Sequence, residues 1–194
     1  QRQMCIRDRF SPGTRLEPGT QLPGPTLAWY HPSVLDEEPI PFDYRVVYED
    51  RDLIVADKPH FLPTTSNGRI VRETLQTRLR VDFGEDSIVP LHRLDRLTSG
   101  LVLCSRNPRT RPAYQRLFQE RAVTKHYRAS VSTPLWFEGT LQLGMRRVRG
   151  ERQVLVDPAG TPTQTRVRAQ GTVVDVWPLT GHTCLLYTSP SPRD

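Results

Sequence analysis

The amino-acid sequence predicts an α+β domain, and three observations carry that prediction. Two β-rich runs, 45–48 and 53–56, are separated by four charged residues, which is typical of a β-hairpin. Two further stretches, 69–80 and 107–121, space their apolar residues three and four positions apart, as amphipathic helices do. Residues 123–131 alternate between two faces, as a half-buried strand does.

The composition is that of a globular protein with room for one domain. The chain has 194 residues, of which 36% are hydrophobic and 25% are charged, and its net charge is +6. This basic balance permits nucleic acid as a partner, but it fits a solvated surface as well. No apolar run is long enough to cross a bilayer and no signal peptide is visible. We therefore expect a cytoplasmic monomer without a membrane partner.

The two ends of the chain resemble translated sequencing adapters. Residues 4–9 can be encoded by DNA whose reverse complement, in another frame, encodes residues 184–189. We therefore assign residues 1–9 and 184–194 to non-native ends and leave them out of fold reasoning. The one cysteine outside these ends is Cys104, so the sequence predicts neither a disulfide framework nor a zinc site.

The first part of the natural sequence is predicted to be irregular. Residues 10–41 are rich in proline and glycine and show no sustained period, although 27–30 fit a short strand or a docking patch. The hairpin of strands 45–48 and 53–56 follows, and Lys58 comes just after its second strand.

Two helices are predicted between the later strands. The first spans 69–80 and is followed by a loop over 82–86. One face of it carries the apolar residues Val71, Leu75 and Leu79. The second begins with Asn107 as its cap and Pro108 at its first helical position. Its aromatic residues, Tyr114 and Phe118, are expected to pack on the sheet as part of the core.

The remaining strands are predicted from short apolar or alternating runs. Residues 101–105 fit a buried strand, and 123–131 fit a half-buried one. The densest basic cluster, 146–152, lies in a hairpin-like region where it either contacts phosphate or forms a charged loop. Two more strands are predicted over 164–170 and 172–177.

The stretch 91–100 carries the chemistry of the chain. It places one carboxylate, Asp95, between Arg93 and Arg96 and ends in a turn of small residues. Gly100 permits a positive φ at the end of that turn. For an isolated aspartate between two arginines, a surface ion pair of little energetic value would be the ordinary interpretation.

The pattern His-Arg-Leu-Asp-x-x-Thr-Ser-Gly, which begins at His92, resembles the signature of the RluA-like pseudouridine synthases. The resemblance implies that Asp95 is the catalytic residue and acts on the nucleoside as a nucleophile or as a base. It also implies a mixed, predominantly antiparallel sheet flanked by a few helices. We assign residues 42–183 to this catalytic domain and expect it to be incomplete at its C-terminal end. The reaction requires no metal and no other cofactor.

Other stretches resemble further motifs of that family. Residues 47–59 resemble its first motif, so Lys58 is expected near phosphate or near the catalytic carboxylate, or as a strand-end lysine in water. Residues 121–127 resemble its second motif, in which Tyr127 would stack on the target uracil. Residues 180–183 resemble the start of the third motif, with His182 in place of its first arginine.

The resemblance implies RNA, ribosomal or transfer RNA, as the partner. The substrate-binding residues that we predict are Tyr127, His92, Arg93, Lys58 and Arg96. His92 and Arg93 are expected to shape the loop or to bind RNA rather than to transfer protons. The loop 62–68 contains hydroxyl groups, which we expect either to lie near RNA or to belong to a plain turn.

Three alternatives remain open at this point. His92, Asp95 and Ser99 would form the triad of a hydrolase, although all three lie within eight residues and no nucleophile elbow is present. A non-catalytic RNA-binding module would also explain the basic charge. A truncated catalytic domain without activity would explain the incomplete third motif.

Overall fold

A computed structural model describes residues 3–6, 21, 28–31, 36–66, 70–147 and 154–180 of the chain. The strands and helices are β1 (Gln3–Ile6), β2 (Ala28–His31), β3 (Arg45–Glu49), β4 (Leu53–Lys58), α1 (Leu75–Phe83), β5 (Val89–Pro90), β6 (Gly100–Ser105), α2 (Arg111–Gln119), β7 (Tyr127–Arg147), β8 (Val154–Val156) and β9 (Thr161–Pro178). Every described strand pairing is antiparallel. The predicted α+β fold with a predominantly antiparallel sheet is therefore confirmed.

The central sheet has the strand order β3-β4-β6-β5 and holds the main core. The predicted hairpin forms its first two strands, and β6 pairs along the whole length of β4. Alternate residues of β4 are buried because successive side chains of a strand point to opposite faces. The core consists of Ile54, Ala56, Leu62, Leu75, Leu79, Ile88, Leu94, Val102 and Cys104.

Helix α1 begins later than the sequence predicts. Thr74 is its N-cap, with a side-chain oxygen that accepts the Thr77 N–H, so the helix starts at Leu75 and not at residue 69. Val71 consequently lies in the turn before the helix, and its predicted place on the helical face is wrong. The helix ends at Gly84, whose φ of 63° is the left-handed conformation that glycine adopts without strain.

Helix α2 also starts later than predicted, at Arg111 rather than just after Asn107. The Asn107 side chain does cap a turn, because its Oδ1 accepts the Arg109 N–H at 3.0 Å, but that turn precedes the helix. No residue of α2 is buried. The prediction that Tyr114 and Phe118 belong to the core is therefore wrong.

Strands β7 and β9 form a long antiparallel ribbon, to which β8 adds a short third strand. The single strand β9 replaces the two strands predicted over 164–170 and 172–177. Gly171 within β9 has a φ of 64°, and the register of the β7–β9 pairing shifts next to it. A second small core lies on the ribbon, and the partly buried Tyr127 packs against both cores. Its buried members are Val167, Ala169, Val174 and Val176.

The remaining described strands are the short strands β1 and β2 near the N-terminus. Strands β1 and β2 pair with each other, and β1 lies within residues 1–9. The division of the chain at residues 9, 41 and 183 stays a prediction. His182 and residues 184–194 lie outside the described residues, as do residues 148–152 of the basic cluster. None of the helices described is long and apolar enough to span a membrane.

Candidate active site

Asp95 lies in the loop 91–99 that joins β5 to β6. The end of this loop is fixed by the sheet, because Gly100 is the register partner of Lys58 at the end of β4. Gly100 has a φ of 126°, a conformation that other residues rarely adopt, as the sequence predicted. The sheet therefore brings the Asp95 loop and the end of β4 together at one edge.

The connection from β4 to α1 holds the Asp95 loop through hydrogen bonds at successive positions. The Phe61 N–H donates to the Arg96 carbonyl at 2.7 Å, and the His60 Nδ1 lies 2.8 Å from the Leu97 carbonyl. Within the loop, the Thr98 N–H donates to the Asp95 carbonyl at 3.0 Å and closes a turn. These bonds give the loop a defined backbone conformation on both sides of the carboxylate.

Lys58 is a buried cation at this edge of the sheet. Its side chain is fully buried, and Nζ donates to the Pro59 and Leu62 carbonyls at 2.9 and 2.8 Å. Burial lowers the Lys58 pKa to about 8, while the negative charge of Asp95 acts in the opposite direction. Of the alternatives from the sequence, the structure fits a lysine near the carboxylate, and the exposed strand-end lysine is wrong.

Tyr127 is the first residue of β7 and lies near the same carboxylate. Burial raises the pKa of its phenol, and the Asp95 charge raises it further. Its ring is half-buried between the two cores, so one part of it packs and the other remains accessible. The structure thus brings together Asp95, Lys58 and Tyr127, which are 69 residues apart at most along the chain.

His92 is held on the inner side of the loop. Its Nε2 accepts the Leu103 N–H at 3.0 Å, and its ring stacks on Phe118 at 5.2 Å between centroids. Burial lowers its pKa to about 4, and the Lys125 charge contributes in the same direction. The ring is therefore neutral at pH 7, with its proton on Nδ1. This arrangement agrees with the prediction that His92 shapes the loop.

The hydrolase alternative requires a basic histidine nitrogen beside a serine. The basic Nε2 of His92 is already bonded to the Leu103 N–H, so no lone pair is left to accept a serine proton. Ser99 is exposed at the end of the loop. The geometry therefore gives the triad of His92, Asp95 and Ser99 no support.

Arg93 and Arg96 flank Asp95 and are both exposed. Because they point their charge toward solvent beside the carboxylate loop, they are placed where a polyanion would approach it. Their contact with RNA stays a prediction.

A small cavity of about 120 Å³ lies beyond Phe118 rather than at Asp95. Its wall includes Arg121, Lys125 and Trp177. Lys125 also lies over the Phe118 ring, 5.6 Å from its centroid. Among the described residues, no group of histidine, cysteine and acidic side chains is arranged to hold a metal ion.

Sequence reasoning missed several residues that build the site. Thr64 was placed in a loop of hydroxyl groups, yet it is 2% exposed and bonds to Leu94 in the Asp95 loop. Phe61 has a φ of 68°, unusual for an aromatic residue, and stacks on Phe42 at 5.8 Å. Neither residue type signals this role, because the contacts join segments that are distant along the chain.

The fold and the site define an α+β protein with a single carboxylate on a loop of an antiparallel sheet. The profile of the RNA pseudouridylate synthase family matches residues 52–183 of the chain. The chain therefore belongs to the RNA pseudouridylate synthase family, and the family predicted from its motifs is confirmed. The matched residues contain the loop of Asp95 and also Lys58 and Tyr127.

Individual relatives agree with this assignment. The chain is 34% identical over 108 residues to an uncharacterized RNA pseudouridine synthase of Synechocystis sp., covering 56% of this chain and 37% of the relative. It is 32% identical over 88 residues to the tRNA pseudouridine(31) synthase of Saccharomyces cerevisiae, covering 45% and 21%. It is 29% identical over 168 residues to the human pseudouridylate synthase RPUSD2, covering 79% and 29%. The chain thus spans about a third or less of these relatives.

A solved structure shows the same fold. Human RNA pseudouridylate synthase domain containing 1 matches with a TM-score of 0.63 and 24% identity, over 78% of this chain and 65% of that one. Human RNA pseudouridylate synthase domain containing 4 matches with a TM-score of 0.54 and 21% identity, over 73% and 61%.

Proposed function

We propose that the protein containing this chain isomerises specific uridines in structured RNA to pseudouridine, with Asp95 as the catalytic residue. The observation that carries the proposal is the position of Asp95. It lies on a hydrogen-bonded loop within electrostatic reach of a buried lysine, Lys58, and a half-buried tyrosine, Tyr127. Membership of the RNA pseudouridylate synthase family supports this reaction.

The proposed reaction breaks the C–N glycosidic bond of uridine and forms a C–C bond between the same uracil and the same ribose. C5 of the uracil loses its hydrogen as the C–C bond forms, and N1 gains a hydrogen after the C–N bond breaks, so atoms and electrons balance without a co-reactant. Asp95 acts on the sugar either as a nucleophile, whose bond to C1′ forms as the C–N bond breaks and is broken again when C5 attacks, or as a base that takes a ribose proton and returns it. Lys58 supplies a positive charge near Asp95. The exposed part of the Tyr127 ring supports the uracil by stacking. The target must leave its helix, which costs a few kcal/mol.

RNA is proposed to approach over the exposed side of the Asp95 loop. Arg93 and Arg96 stand on either side of the carboxylate, where they would neutralise phosphates next to the target nucleotide. A yeast relative is named a tRNA pseudouridine synthase. Ribosomal or transfer RNA is therefore the substrate class that we propose. A monomeric state and a cytoplasmic location stay predictions.

The test uses the longest natural reading frame that contains residues 10–183. The purified protein is incubated with total RNA, and pseudouridine is mapped by chemical labelling. We expect new pseudouridine at discrete sites with the natural protein and none with Asp95→Asn, which keeps the size of the side chain and removes its charge. Asp86→Asn is the matched control, because Asp86 is an exposed aspartate on the α1–β5 connection.

Equal activity of Asp95→Asn and the natural protein would overturn the catalytic assignment. RNA binding without any product, in the natural protein as in the variant, would instead favour a non-catalytic RNA-binding module.

A further inference from the structure

Thr64 makes a closed pair of hydrogen bonds with the residue before Asp95. Its hydroxyl donates to the Leu94 carbonyl at 2.7 Å and accepts the Leu94 N–H at 3.1 Å. Thr64 is 2% exposed and Leu94 is 7% exposed, so water does not compete for these bonds. One side chain therefore satisfies both backbone polar groups of Leu94.

The backbone of Thr64 is itself anchored to helix α1. The Thr64 carbonyl accepts the Gln76 N–H at 3.1 Å, and the carbonyl of the preceding Pro63 accepts the Leu75 N–H at 2.8 Å. These are N–H groups of the first helical turn, which have no partner within the helix. Because Leu75 is fully buried in the main core, Thr64 is attached to the packed interior of the domain.

The hydrogen bonds from Thr64 to Leu94 constrain Asp95 through a single planar peptide unit. The Leu94 carbonyl and the Asp95 N–H belong to the same planar peptide unit, so fixing the carbonyl direction fixes the direction in which the chain enters Asp95. The Leu94 side chain is buried in the core, which holds the Leu94 Cα at the start of this peptide unit. Rotation of the peptide would break the 2.7 Å bond and leave a buried carbonyl without a partner.

We propose that Thr64 is a positioning residue that holds the Asp95 carboxylate at the correct place for the reaction. The proposal depends on the proposed function of Asp95. Thr64 does not touch substrate; it acts through the backbone of Leu94. A displacement of a reacting group by about 1 Å costs on the order of 100-fold in rate. The chemical requirement is a hydroxyl group, since only a group that both donates and accepts can serve both partners.

The experiment compares Thr64→Val, Thr64→Ser and a matched control, Thr163→Val, in single-turnover reactions with saturating RNA. Valine keeps the shape of threonine and removes the hydroxyl, whereas serine keeps the hydroxyl. Thr163 is also buried, at 3% exposed, and its hydroxyl donates to the Leu143 carbonyl at 2.8 Å between β9 and β7, away from the Asp95 loop. Melting temperature and RNA affinity are measured for each variant.

We expect Thr64→Val to lower the single-turnover rate by on the order of 100-fold with RNA affinity unchanged. Thr64→Ser is expected to restore most of that rate. Thr163→Val is expected to lose stability and keep its rate. Hydrogen exchange of the Leu94 amide should accelerate in Thr64→Val alone. This measurement reports the loss of the Leu94–Thr64 hydrogen bond without any assay of activity.

Three outcomes would overturn the proposal. A natural rate in Thr64→Val, with Asp95→Asn inactive, would remove the positioning role and leave the proposed function intact. Equal losses of rate in Thr64→Val and Thr163→Val would show that stability alone explains the effect. A natural rate in Asp95→Asn would instead reject the proposed function, and the role of Thr64 with it.

Discussion

At the scale of single residues, the site contains titratable groups whose pKa values are shifted by burial. His92 is kept neutral because its ring is buried against Phe118 and lies near the Lys125 charge. Lys58 keeps a cation in the interior because two backbone carbonyls accept from its ammonium and Asp95 lies nearby. Both features have consequences for pH and for catalysis that can be measured.

The depressed pKa of His92 makes the stability of the fold depend on pH. Its folded-state pKa is about 4 and its unfolded value is 6.5, so the unfolded chain binds more protons between these limits. We expect the free energy of unfolding to fall as the pH drops from 6.5 to about 4, by at most about 3 kcal/mol. Urea unfolding at a series of pH values measures it.

The control for His92 is His92→Gln, whose amide oxygen can accept the Leu103 N–H but does not titrate. This variant should lose the fall in stability between pH 6.5 and 4. Identical pH profiles for the two proteins would show that His92 is not the titrating group.

Lys58→Met tests the buried cation. Methionine fills nearly the same space but removes the positive charge, so Asp95 loses its neighbouring cation. We expect the single-turnover rate to fall at least tenfold, because a preorganised charge at the reacting group is worth several kcal/mol in a buried site. RNA affinity should not change, since the side chain is fully buried. A loss of affinity with a natural rate would assign Lys58 to RNA binding instead.

At the scale of the elements, one glycine ends a helix and another begins a strand, and both have a positive φ that other residues rarely adopt. Gly84 ends α1 with a φ of 63°, and Gly100 begins β6 with a φ of 126°. At Gly84 an added Cβ would meet nothing within 4 Å, and at Gly100 only Leu94 Cδ1 at 3.9 Å. Any cost of substitution therefore comes from the backbone conformation and not from a clash.

Gly84→Ala and Gly100→Ala are expected to separate stability from function. Each should destabilise the fold by about 1–3 kcal/mol, because alanine is strained at a positive φ. Only Gly100→Ala should also lower the rate, since Gly100 directly follows the Asp95 loop and pairs with Lys58. Denaturant unfolding and single-turnover assays measure the two effects. Equal rates in the two variants would show that the end of the loop does not need this conformation.

At the scale of the whole molecule, the central sheet and the ribbon of β7, β8 and β9 meet at Tyr127. Its ring packs against both cores, so the ribbon carries a site residue to the edge of the central sheet. We propose that RNA binds to the surface around this junction. The exposed arginines of the Asp95 loop, Arg93 and Arg96, would supply the positive charge that attracts its phosphates.

Arg93→Gln and Arg96→Gln test that surface. Each arginine that neutralises one phosphate contributes about one unit to the slope of log affinity against log salt. We expect each variant to bind RNA more weakly at physiological salt, with a shallower salt dependence and a little-changed rate at saturating RNA. Arg109→Gln is the matched control, because Arg109 is exposed on the turn before α2. Losses of the same size in all three would indicate only nonspecific attraction.

The sequence by itself determined the features that depend on neighbouring residues. The β3–β4 hairpin, the buried strand β6 and the glycine at the end of the Asp95 loop follow from local patterns of apolar, charged and small residues. The motif around Asp95 indicated the family. A local pattern is sufficient there because the backbone conformation of a turn or a strand is chosen mainly by the residues within it.

Only the tertiary structure decided how these elements support the site. It showed that Thr64 bonds to Leu94, that Lys58 is buried beside Asp95, and that the aromatic face of α2 is not core. The start of α1 was also decided there, because Glu37 accepts N–H groups of the preceding turn, from Val71 to Glu73. Each contact joins segments distant along the chain, so its energy depends on packing that no local pattern contains.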